Sequence, residues 1–126
     1  MPRRAVPVAL AVALLAACGT VDRGPYKLEP TRRCLHDEGL RLATRGLGVI
    51  AESAPGGALR TFVGTHNATL SFADTNRSAL GIARAYKKFG PPHTADLLFV
   101  ERNVVLVWDV TPDDDTRGKV DGCLRS

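Results

Sequence analysis

Apolar and polar residues alternate most regularly between Leu59 and Ala73. Ala68, Leu70 and Phe72 fall on one face of an extended chain, and Thr69 and Ser71 fall on the other. A period of two marks a strand in a sheet with one wet side. The pattern predicts strands over Leu59–Val63 and Ala68–Ala73, joined through a turn at residues 64–67 into an antiparallel hairpin.

The period then changes. Ala79, Ile82, Ala83, Tyr86 and Phe89 recur at helical spacing, and Arg77, Arg84, Lys87 and Lys88 occupy the opposite face. A helix over residues 77–89 follows, capped by Asp74, Thr75 or Asn76 and stopped by Gly90-Pro91-Pro92. A second hairpin is expected from Asp96–Glu101, a turn at Arg102-Asn103, and Val104–Val110. Its last strand is apolar on both faces, as a covered central strand would be. Thr111-Pro112-Asp113-Asp114-Asp115 carries an N-cap residue, a first-turn proline and carboxylates, predicting a helix that runs to about Leu124.

Upstream the signals are shorter. Thr31 can cap a helix over Arg32–Glu38 that ends at Gly39, and residues 40–44 alternate as a strand. Residues 46–53 read as irregular or one brief turn of helix, and Ala54-Pro55-Gly56-Gly57 reads as a loop. Residues 18–30, with Gly24, Pro25 and Pro30, read as a flexible tether to a single domain over residues 31–126. The expected fold is α+β, a mainly antiparallel sheet built from two β-hairpins with two to three packed helices. Asn67, Leu70 and Thr75 repeat as Asn103, Leu106 and Thr111 at an offset of 36 residues, with Phe72 answered by Trp108. A duplicated ββα unit is one reading of this echo, and generic hairpin patterning is the other.

The N-terminus has a different character. Arg3 and Arg4 precede an uncharged run from Ala5 to Ala17. As a helix rising about 1.5 Å per residue it reaches about 20 Å, short of a bilayer core of about 30 Å. A basic start, a short apolar centre and small residues before a cut site describe a secretory signal peptide over residues 1–17. Its end, Leu15-Ala16-Ala17-Cys18, resembles the lipobox of bacterial prolipoproteins, and every position fits. That resemblance implies acylation of the Cys18 thiol, cleavage before Cys18 and, in many bacteria, a further palmitate-type chain on the new amine. Two or three chains hold a protein stably at a membrane. The other reading is an ordinary secretory signal with a cysteine near its cut site.

Composition narrows the rest. The 126-residue precursor has 17 basic and 13 acidic side chains; losing residues 1–17 leaves 109 residues, with 15 against 13. A mature net charge of +2 with no basic block gives no support to nucleic-acid binding. Cys34 and Cys123 remain as an even pair in an exported, oxidising compartment, where a bridge would enclose 88 residues. The alternative is two free thiols, but no Cys-x-x-Cys is present.

Candidate chemistry is sparse. His36-Asp37-Glu38 is the densest polar cluster, yet side chains at i, i+1 and i+2 of a helix diverge. His66 in the hairpin turn and His93 after the prolines have no metal-ligand spacing. Asp113-Asp114-Asp115 lacks the alternating oxygens of a calcium loop, and capping explains it. Asn67-Ala68-Thr69 and Asn76-Arg77-Ser78 match a glycosylation sequon that a bacterial chain would carry by chance. Trp108, Phe72 and Tyr86 read as core. No catalytic residue, metal or cofactor is assigned. The functional expectation is a lipid-anchored protein on the extracytoplasmic face of the bacterial cell membrane or outer membrane. It would be a binding or interaction module whose ligand, and whose protein or glycan partner, the residues do not identify; the rivals are a small envelope hydrolase and a structural envelope component.

Overall fold

The two hairpins form and lie side by side. The computed structural model describes residues 24–126; the leader, Cys18 and the first part of the expected tether lie outside the described residues. The elements are α1 (Leu28–Asp37), β1 (Arg41–Ala43), α2 (Val49–Glu52), β2 (Ala58–Val63), β3 (His66–Phe72), α3 (Asn76–Phe89), β4 (Leu98–Glu101), β5 (Val104–Trp108) and α4 (Asp114–Leu124). All five strands pair antiparallel in the order β1-β2-β3-β5-β4, so the fold is α+β.

Helices cover both faces of this sheet. On the first face Leu59, Leu70, Phe72, Leu106 and Trp108 pack beneath α1 and α4, through Leu35, Val120, Cys123 and Leu124. Each fully buried side chain of this size contributes about 1.5–3 kcal/mol of transfer free energy. On the second face Val105 and Ala73 pack beneath α3, through Ala79, Ala83 and Tyr86, with Ile50 of α2 alongside. Thr69 and Ser71, expected on a wet side, are therefore buried. The Ser71 and Tyr86 hydroxyls meet at 3.5 Å. Small polar side chains leave room for a helix to approach, which alternation alone does not reveal.

Several boundaries move for identifiable reasons. The first helix begins at Leu28, so the expected tether ends earlier and Thr31 lies inside the helix, its hydroxyl donating to the Lys27 carbonyl at 2.8 Å. Pro30 falls in the first turn, where a missing N–H breaks no helical bond. The last helix starts after Asp113, whose carboxylate accepts from the Thr116 N–H at 2.7 Å, so Thr111 and Pro112 precede it. Residues 94–97 form a 3-10 turn, and β4 starts only at Leu98. His66 opens β3 and is not in the turn. Phe89, placed on the buried stripe by its spacing, is 72% exposed.

The loop at residues 54–57 is tied into the sheet. The Gly56 N–H donates to the Phe72 carbonyl at 2.7 Å, and a Cβ on Gly56 would lie 2.7 Å from that same oxygen. Only glycine fits this approach.

The offset of 36 is visible at one point only. Leu70 pairs with Leu106, and Phe72–Val104 mirrors Ala68–Trp108. A two-fold axis relating these strands would stand perpendicular to the sheet and put both following helices on one face. Instead α3 and α4 lie on opposite faces. Thr75 caps α3, whereas Asp113, not Thr111, caps α4. The echo is a shared hairpin pattern.

Candidate functional site

On the second face the sheet is not fully covered. Between α2 and the C-terminal end of α3 lies an open cleft of about 660 Å³. That size is typical of small-molecule sites, about 300–1,000 Å³. Its floor is one rung of the sheet, on which Arg60 pairs with Thr69 and Thr69 with Val107. One wall is built by Leu47 to Ile50, where the short α2 stands on β3 without spanning the sheet. The other is the end of α3 followed by Pro91 and Pro92. Gly90 makes the corner between them. A Cβ there would collide with the Tyr86 carbonyl oxygen, so the chain can turn away from α3 only with glycine at this position.

The rims are apolar and exposed. Val49 is 84% and Phe89 72% accessible, and they border the cleft from opposite sides. Lys88 holds its ammonium 5.2 Å from the Phe89 ring centroid. Large apolar side chains left in water on both sides of a hollow mark a binding surface more than a packing accident.

Two charged side chains border the cleft. The Arg60 Nε–H donates to the Thr69 hydroxyl at 2.9 Å, which pins the guanidinium along the floor. No carboxylate among the described residues forms an ion pair with it. Asp109 sits at the far end, and its Oδ1 accepts from the Asn67 and Val110 N–H groups at 3.0 and 2.9 Å. One carboxylate oxygen is committed to shaping the strand end, while four guanidinium N–H donors face the hollow or solvent.

The residues singled out from sequence lie elsewhere. Cys34 and Cys123 form a disulfide, Cα to Cα 5.3 Å, in the core on the opposite face. His36 and Asp37 are solvent-exposed at the end of α1, 3.8 Å apart. His93, in a left-handed conformation, faces the exposed Asp96 carboxylate at 3.9 Å. Neither His66 nor His93 borders the cleft. Asp113 serves its helix: the Thr116 N–H holds its carboxyl below the usual range, helped by the nearby His66. Among the described residues no three His, Cys, Asp or Glu side chains are placed to hold a metal ion.

A second titratable group lies on the first face, where α4 meets the edge strand. Arg117 stacks on the Phe99 ring at 4.1 Å and approaches Asp121 at 3.4 Å and Glu101 at 3.9 Å. Burial, and then the Asp121 carboxylate, push the Glu101 carboxyl above its ordinary value, against the pull of Arg117 and Arg125. The buried Asp121 Oδ1 finds no donor among ionised neighbours. A bond between the two carboxyls exists only when one holds a proton. This cluster fastens α4 to β4, away from the cleft.

Arg60 was missed because a charged residue in an alternating strand reads as the wet face. The signal that could have found the site was Phe89, a large apolar side chain one residue before a Gly-Pro-Pro stop. No protein-family model, curated protein or solved structure matches the chain.

Proposed function

We propose that this protein is a lipid-anchored binding module of the bacterial envelope, held by acyl chains on Cys18 and taking its ligand in the cleft between α2 and α3. The observation that carries the binding reading is the hollow itself: about 660 Å³, with apolar walls and two exposed apolar rims facing one another. The lipobox Leu15-Ala16-Ala17-Cys18 supports the anchor. The Cys34–Cys123 bridge suits an oxidising, extracytoplasmic compartment. Among the described residues no helix is long and apolar enough to cross a membrane.

Two measurements test this. Intact mass of protein from its native host should give a chain starting at residue 18 with added acyl mass; a chain without that mass removes the anchor. For the cleft, bound probe is measured directly by equilibrium dialysis, because the indole of Trp108, the chain's single tryptophan, packs in the core of the opposite face. With the native chain in phosphatidylcholine vesicles, the neutral probe 8-bromooctanol should bind saturably above its partition into vesicles alone. Phe89→Asp, at an exposed position that leaves the core intact, should abolish the saturable part. Equal binding by both proteins would end the binding reading.

A further inference from the structure

Resting on that reading of the cleft as a ligand site, we propose that the ligand is an amphipathic monocarboxylate, its apolar body between α2 and α3 and its carboxylate on Arg60. Apolar rims at Val49 and Phe89 and walls at Ile50 and Leu97 offer contact to hydrocarbon, which gains free energy in proportion to the apolar area removed from water. The floor adds one polar fixture. Arg60 is half-buried, and its Nε is already held by Thr69, so the planar fork is oriented before ligand arrives. A guanidinium presents paired donors that match a carboxylate in bidentate fashion.

Charge selects among anions. Arg60 on the floor carries one positive charge, with no ion-pair partner among the described residues. Lys88 adds a second cation at the rim, outside the floor. The Asp109 carboxylate at the far end, with one oxygen occupied by backbone N–H groups, opposes a dianion. A single carboxylate balances Arg60; a phosphate monoester brings excess charge towards Asp109. The apolar walls would still receive a neutral body, but without the fork's contribution.

The test uses the native chain in phosphatidylcholine vesicles, with bound probe measured by equilibrium dialysis against the free concentration of each probe. The acid 8-bromooctanoate should bind about tenfold or more tighter than 8-bromooctanol, the ratio expected for a hydrogen bond to a charged group. Arg60→Gln should remove that preference, so that acid and alcohol bind alike. Arg60→Lys, keeping the charge but not the fork, should keep part of it. If acid and alcohol bind alike in the native chain, the cleft is a binding site but the carboxylate assignment fails. If octyl phosphate displaces the acid at lower concentration than octanoate does, the ligand is a phosphate and the assignment also fails. Saturable binding of neither brominated probe would overturn this inference together with the binding reading beneath it.

Discussion

The side-chain amide of Asn103 and the backbone of Tyr26 hold one another from both sides: Oδ1 accepts the Tyr26 N–H at 2.7 Å, and Nδ2 donates to the Tyr26 carbonyl at 2.8 Å. The same Nδ2 donates to the Ala73 carbonyl at 2.8 Å, and the Ala73 N–H returns to the Asn103 carbonyl. One buried side chain thus joins the start of the domain, the β4–β5 turn and the end of β3. It keeps Gly24–Lys27 from behaving as a tether. Asn103→Ala would leave three backbone groups without partners, at about 1–3 kcal/mol for each one that water cannot reach. We expect a loss of about 2–4 kcal/mol in urea unfolding and rapid hydrogen exchange at the Tyr26 amide. A protected Tyr26 amide in Asn103→Ala would show that something else holds this segment.

The disulfide joins α1 to α4 across a long stretch of chain, with a sequence separation of 89. In the chain-entropy model such a loop corresponds to about 4–5 kcal/mol, and removed native bridges typically cost about 2–5 kcal/mol. The double variant Cys34→Ala/Cys123→Ala should lose stability within that range, because the α1–α4 layer keeps Leu35, Val120 and Leu124 in place. The denaturant midpoint of the variant against the oxidised protein measures it. A shift of less than 1 kcal/mol would mean that the unfolded chain already holds its two ends together.

How much of this was legible in the residues depends on what decides each feature. The two hairpins and α3 were, because Leu70-Ser71-Phe72 and Ala79 to Tyr86 carry clean periods of two and 3.6. The pairing of Cys34 with Cys123 was legible from their count and positions. The covered second face was not: Thr69 and Ser71 look wet until a helix lies over them. Asn103 looked like a turn residue, yet its role is set by Tyr26 and Ala73, distant in sequence. The cleft is an absence of covering atoms, decided by how short α2 is and where α3 ends. No local pattern encodes that.

Glu101 makes the protein's stability depend on pH with a definite sign. Its folded pKa is raised above the ordinary carboxyl value, first by burial and then by Asp121, with Arg117 and Arg125 opposing. The folded state therefore binds this proton more tightly than the unfolded one. The stabilisation is complete below the unfolded value near 4.5 and is lost as pH rises through the raised one. Glu101→Gln, neutral at every pH, should be more stable than the native chain at pH 7. It should also lack the native chain's loss of stability on going from pH 4 towards neutrality. Urea unfolding at a series of pH values decides this. A native-like slope in Glu101→Gln would assign the titration to another carboxyl.

Thr61, Ala68 and Trp108 share one rung of the first face, with Ala68 between the two larger side chains. All three are buried, and neither the Thr61 hydroxyl nor the Trp108 indole N–H has a hydrogen-bond partner among the described residues. A buried hydroxyl with no partner carries its desolvation cost without return. Val has nearly the same shape, so Thr61→Val exchanges that hydroxyl for a methyl in an apolar layer without opening a cavity. We expect a gain of about 1 kcal/mol, seen as a higher urea midpoint at unchanged slope. Thr61→Ser, which keeps the hydroxyl and loses a methyl, should move the other way by a similar amount. A loss in Thr61→Val would mean that the hydroxyl is hydrogen-bonded in solution, and the rung would then be a polar link across the core.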